Sequence, residues 1–157
     1  MHGTLQRPTC MAFRAVPSGA WRARMNPGDW DRVRFLAGQL SDDGELPVTE
    51  EVRELLLRVA PDVALTPEEA RRALNAPNTA AALLREMHHR IRDGSRRLSR
   101  ALVESHKLKQ TGDFAAAREV LNRAAAVEIV PFYQEQVRIA LDHVDAPEDD
   151  NQTDSDA

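Results

Sequence analysis

From Ala80 to Leu108, small or apolar residues recur at alternating intervals of four and three. They are Ala80, Leu84, Met87, Ile91, Gly94, Leu98, Ala101, Ser105 and Leu108. Residues so spaced share one face of an α-helix and scatter over both faces of a strand. The run therefore predicts a long helix over residues 78–110, capped by Asn78 or Thr79, with Leu83 and Leu102 widening the stripe. A seam of this length must be covered by other helices, so it constrains the chain to an all-α fold. Gly94 is the weak point, at about 1 kcal/mol against alanine. Its place on the seam predicts either close approach of a partner helix or a kink.

Turn chemistry follows in Thr111–Gly112–Asp113, then a return helix with Phe114, Ala117, Leu121 and Ala124 inward. The segment HKLKQTGDFAAAREVLNRAAA resembles one tetratricopeptide-type hairpin. The resemblance rests on Gly112–Asp113–Phe114 at the turn and on Ala117, Leu121 and Ala124 after it. A solenoid needs about three such units to bury a core, so the segment is read as a helical hairpin within one bundle. Pro131 interrupts at VEIVPFY, and a last helix carries Tyr133, Val137, Ala140, Leu141 and Val144 on one face.

The N-terminal half predicts three shorter helices. Asp29 is read as the N-cap of the first, which buries Trp30, Val33, Leu36 or Ala37, and Leu40 before Ser41–Gly44 stops it. Thr49 opens the second, with Val52, Leu55, Leu56 and Val59 inward, and Pro61 ends it. Thr66–Pro67–Glu68–Glu69 has the form of a capping box, and Asn75–Ala76–Pro77 closes the third helix. The expected architecture is a compact bundle of about five or six helices around the long one.

At 157 residues the chain allows one domain with a real core. No apolar run approaches the roughly 20 residues of a membrane span. Cys10 is the lone cysteine, so neither an intramolecular disulfide nor a thiolate cluster is expected. Residues 1–24 carry arginines and no acid, and they read as a basic disordered leader or a misassigned start, with translation opening at Met25. Residues 25–144 read as the single helical domain, and 145–157 as an acidic, solvated disordered tail.

Charge marks the candidate interaction face. Over 78–110, Arg85, Arg90, Arg92, Arg96, Arg97 and Arg100, with Lys107 and Lys109, oppose only Glu86, Asp93 and Glu104. All the cations avoid the seam and are expected to point outward together. Glu86–Arg90 and Asp93–Arg97 have i,i+4 spacing in the favourable orientation. Such a face suits an acidic partner, the chain's own acidic tail and the acid-rich segment 29–75 among them. It would also suit a nucleic-acid backbone, although no aromatic residue is interleaved for base stacking.

His88, His89, His106 and His143 match no metal-ligand spacing, because adjacent residues on a helix point about 100° apart. No nucleophile elbow, phosphate loop or paired-carboxylate pattern occurs. Catalytic, cofactor-binding and metal-binding residues, and a small-molecule ligand, are accordingly not expected. The reading is a non-enzymatic helical interaction module (an adaptor, regulator or toxin-neutralising partner) that binds another protein or itself, with nucleic-acid binding as the alternative.

The order of features over residues 29–147 resembles the DUSAM domain, a bacterial paralogous family of unknown function. The carrying segments are DWDRVRFLA, LPVTEEVRELL, VALTPEEARRAL, LLREMHHRIRDGSRRLSRAL, GDFAAAREVL and VEIVPFYQEQ. The resemblance implies a cytoplasmic, single-domain helical protein and assigns no catalytic residue.

Overall fold

The computed structural model describes residues 25–146. The expectations placed on residues 1–24, Cys10 included, and on residues 147–157 lie outside the described residues. The described chain forms α1 (Pro27–Gln39), α2 (Glu50–Val59), a 3-10 turn (Ala60–Val63), α3 (Pro67–Ala73), α4 (Pro77–Gln110), α5 (Phe114–Val127) and α6 (Pro131–Asp142). No strand occurs among the described residues, and the fold is all-α.

Local chemistry explains most helix ends. Thr66 Oγ1 accepts from the Glu69 amide (3.1 Å) while Glu69 Oε2 accepts from the Thr66 amide (2.7 Å), the reciprocal capping box expected of that sequence. Thr49 caps α2 through the Val52 amide. At the end of α4, Gly112 takes φ +81°. The Gly112 and Asp113 amides then bond to the Lys109 and Leu108 carbonyls, a Schellman closure that a side chain at Gly112 would strain. Asp113 turns at once to cap α5 through the Ala116 amide.

Proline relocates two expected boundaries. The cap of α1 is Asn26, not Asp29, because Pro27 fills the first helical position. Asp29 lies in the first turn instead and forms a two-pronged ion pair with Arg58 of α2, at 3.0 and 3.1 Å. Likewise α4 starts at Pro77 with Ala76 as its cap, not Asn78 or Thr79. The Thr79 hydroxyl donates to the Ala73 and Ala76 carbonyls. α2 ends at Val59, just ahead of Pro61 as expected, and the chain passes directly into the 3-10 turn Ala60–Val63, which closes on Ala64 at φ +60°.

The seam is buried as its spacing predicts. Ala80, Leu84, Met87, Ile91, Gly94, Ala101 and Ser105 are buried, and Leu98 and Leu108 half-buried. Burial of Leu84, Met87 or Ile91 is worth about 1.5–3 kcal/mol each. Two core clusters meet at Leu98. One joins α1, α2, α3 and the N-terminal half of α4 with Val130 and Tyr133; the other joins Ala101 with α5, Val137 and Val144. Leu102 does not widen the stripe; it is 38% exposed, on a flank left uncovered. Phe114 is not inward either, at 42% exposed. It starts α5 at the hairpin tip, where α4 has just ended and little surface remains for the ring. Val120 takes the expected place of an α5 core residue.

Helix α4 runs unbroken through Gly94, so close approach and not a kink accounts for the glycine. A Cβ there would lie 2.4 Å from Cδ2 of Tyr133 on α6. The Tyr133 hydroxyl donates to the Ile91 carbonyl at 2.9 Å, which fixes the ring against α4.

Candidate functional site

The arginines of α4 do not share one outward face, contrary to expectation. Three hold the fold together. Arg85 donates to the Ser41 and Gly44 carbonyls and pins the α1–α2 connection. Arg90 donates to the Val63 and Ala64 carbonyls, both at 2.9 Å, and to Glu86 at 2.7 Å. It thereby satisfies the carbonyls of the turn that carries the left-handed Ala64. Arg97 pairs with Glu128, not with Asp93 as the i,i+4 spacing suggested.

Glu128 is the most committed acid in the described chain, its side chain only 2% exposed. Oε1 accepts from the Ile129 and Val130 amides, and Oε2 accepts from Arg97 at 2.7 Å. The carboxylate thus supplies the cap that α6 lacks from its own N-cap, Val130. Its one sequence signal is an acid inside the apolar run VEIVP.

A fourth arginine, Arg92, stays on the surface beside Asp93 and His89. The Arg92 hydrogen bond holds the Asp93 carboxyl below its ordinary range. His89 Nε2 also meets Asp93, at 2.8 Å. Among the described residues no cluster of three His, Cys, Asp or Glu side chains is placed to hold a metal ion.

Arg96 and Arg100 remain. Both are exposed and make no hydrogen bond or ion pair among the described residues. Arg100 overhangs an open groove of about 320 Å³ between α4 and α5. Ala101, Val120 and Ala124 form its floor, and Val127 stands 59% exposed at its edge. Arg97, Arg100 and Glu104 form the α4 rim, and Arg123 forms the α5 rim. On the far side of Arg100, Val103 is 56% exposed beside Lys107.

The alanines create this groove, since short side chains at Ala101 and Ala124 leave the two backbones flanking a trough. The small apolar floor, the exposed Val127 edge and the unpaired Arg100 guanidinium together suit apolar side chains interspersed with carboxylates, while Arg97 and Arg123 are paired with Glu128 and Glu119. Sequence reasoning found the α4 rim through Arg97 and Arg100. It missed Val120, Arg123 and Val127, whose contribution depends on the register of α5 against α4.

Among the described residues, no helix is long and apolar enough to cross a membrane. Residues 28–144 match the family described as "Protein of unknown function (DUF2379)", and the chain belongs to that family. No curated protein and no solved structure matches it.

Proposed function

We propose that this member of the DUF2379 family is a non-enzymatic helical module that binds a second protein through the α4/α5 groove. The observation that carries the reading is the pairing of exposed Val127 and an apolar floor with the unpaired Arg100 on its rim. An exposed apolar edge costs solubility and contributes nothing to the core, and such patches mark interaction sites. Arginine beside apolar surface is the usual composition of an interface centre. The partner segment is one with apolar side chains between carboxylates. An adaptor, regulator or toxin-neutralising role would use such a surface, in a bacterial cytoplasm. The DUSAM resemblance supports this setting, as its carrying segments all fall within residues 28–144.

Nucleic-acid binding is the weaker reading. Arg85, Arg90 and Arg97 are spent on carbonyls and on Glu128, which leaves Arg96, Arg100 and Lys107 as a short cationic row on α4. Phosphate-tracking surfaces use more contacts, each adding to the salt dependence of affinity.

The test is affinity capture from the native cell with wild-type chain, Arg100→Glu and Val127→Asp, read by mass spectrometry. Both positions are exposed, so the variants should melt like the wild type. A protein captured by the wild type and lost with both variants is the expected result. Equal capture by all three chains overturns the groove as the interface. Light scattering assigns the surface to self-association if it shows a dimer that Val127→Asp disperses.

A further inference from the structure

We propose, building on the reading of the α4/α5 groove as an interface, that its occupant is the same groove of a second copy of this chain, turned about a two-fold axis that crosses the helices.

The groove surface is balanced in charge and carries both signs. Arg97 is neutralised by the buried Glu128, and Arg123 pairs with Glu119 at 3.7 Å. That leaves Arg100 and Glu104, both exposed and without a hydrogen bond or ion pair among the described residues. They lie one turn apart on α4 with the arginine first, the less favourable order for an ion pair within a helix. A uniformly acidic ligand would gain Arg100 and meet Glu104. A second copy offers each group its opposite. A two-fold interface brings one patch against itself, so that if one residue meets another the reverse contact forms as well. Arg100 against Glu104 of the second copy therefore occurs twice.

The apolar residues fit the same operation. Helices α4 and α5 leave the Gly112 turn in opposite directions. Glu104 and Val120, each eight residues from Gly112, are therefore level, as are Arg97 and Val127 at fifteen. Setting Arg100 against Glu104 puts the axis level with Leu102 on α4, and hence with Asn122 on α5. Ala116, Val120, Arg123 and Val127 follow at intervals of four, three and four, and so share the flank of α5 that borders the groove. About this axis the exposed Val127 falls nearest Ala116 of the second copy. Val120 falls beside Ala124 and the stem of Arg123. Each projecting valine thus meets a short side chain, and the floor alanines let the two hairpins approach as a four-helix arrangement. Two like-signed approaches, Arg123 toward its counterpart and Lys107 toward Arg97, occur where Glu119 and Glu128 already neutralise an arginine. The groove spans only eight residues on each helix, which makes a small contact and a dimer that forms with rising concentration.

Sedimentation equilibrium from about 10 µM to about 1 mM, a range suited to a small interface, should show a monomer–dimer equilibrium. Arg100→Glu and Glu104→Arg each set like charges against one another twice, and each should weaken the dimer at least about tenfold. Mixed in equal amounts, the two variants should dimerise again, because each then meets the charge opposite to its own. Both positions are exposed, so the variants should melt like the wild type. A chain that stays monomeric up to about 1 mM overturns the proposal. So does a dimer indifferent to both charge changes, or one that mixing the variants does not restore. A monomeric wild-type chain that still captures a different protein, lost with Arg100→Glu and Val127→Asp, rejects the second copy alone. Dimerisation and capture both unchanged by those two variants reject the groove as the interface.

Discussion

The two halves of α4 have similar sequences and opposite surroundings. From Ala80 to Ile91 the helix is wrapped by α1, α3, the 3-10 turn and the start of α6, and it buries Leu83, Leu84, Met87 and Ile91. From Ala101 onward it is covered by the α5–α6 side and buries Ala101 and Ser105. The arginines follow this division. Arg85 and Arg90 reach carbonyls of neighbouring segments in the wrapped half, whereas Arg100 finds no partner among the described residues in the open half. An arginine-rich helix is thus not by itself a binding face. What surrounds each guanidinium decides whether it tethers the fold or stays available.

The largest expected effect comes from the wrapped half. Ile91 is fully buried, and Ile91→Asp would place a carboxylate in the larger cluster. A loss beyond about 4 kcal/mol is expected, enough to unfold a domain whose total stability is about 5–15 kcal/mol. Circular dichroism should show no cooperative melt. A retained cooperative transition would break the contrast between the halves at its strongest point.

Next in size is the boundary between them. Arg97→Ala leaves Glu128 buried with only the Ile129 and Val130 amides as partners. Breaking a buried pair from one side costs about 3–5 kcal/mol. The Arg97 side chain is 35% exposed, which admits water and brings the expectation down to about 2–3 kcal/mol. Arg100→Ala, three residues on, should change stability by less than about 0.5 kcal/mol. Urea titrations of the two variants measure the difference directly. Equal losses would show that the two guanidinium groups are not distinct in role.

Gly94→Ala is expected to be smaller again and tests the contact with α6. Alanine improves helix propensity by about 1 kcal/mol, yet its Cβ would lie 2.4 and 2.6 Å from two Tyr133 ring atoms. Overpacking of this kind costs about 1–3 kcal/mol. The net change should be destabilising and non-additive with Tyr133→Leu, which removes the obstructing ring. A Gly94→Ala chain more stable than the wild type would mean that α6 yields easily and that this end of α4 is less tightly held.

Features set by short-range chemistry were legible in the sequence. The Thr66–Glu69 box, the Gly112–Asp113 turn and the seam all follow from residues within a few positions of one another. Features set by packing across the bundle were not. Asp29 serves Arg58, Arg97 serves Glu128, and Phe114 is exposed, each because of a distant segment or its absence. The groove belongs to the second kind. Its α4 rim could be read from charge, whereas its floor and Val127 edge exist only because α5 returns in one particular register.

The smallest expected effect is a pH dependence confined to the wrapped half. His88 on α4 is partly buried. Burial foremost, with Arg92, Arg34 of α1 and His89 adding positive charge against the opposing Asp93, holds its imidazole below the ordinary value. The unfolded chain therefore binds a proton at this residue more readily than the folded chain does. Above the unfolded pKa, about 6.5, both states are neutral and the residue costs nothing. As pH falls through that value toward the lower folded pKa, the unfolded state gains a proton first and stability declines. His88→Gln should remove this contribution, so its urea midpoint should fall less than that of the wild type between about pH 7 and pH 5. Parallel midpoint-versus-pH curves would place His88 in water as open as that around Arg100, and the wrapping of α4 by α1 would then end before this turn.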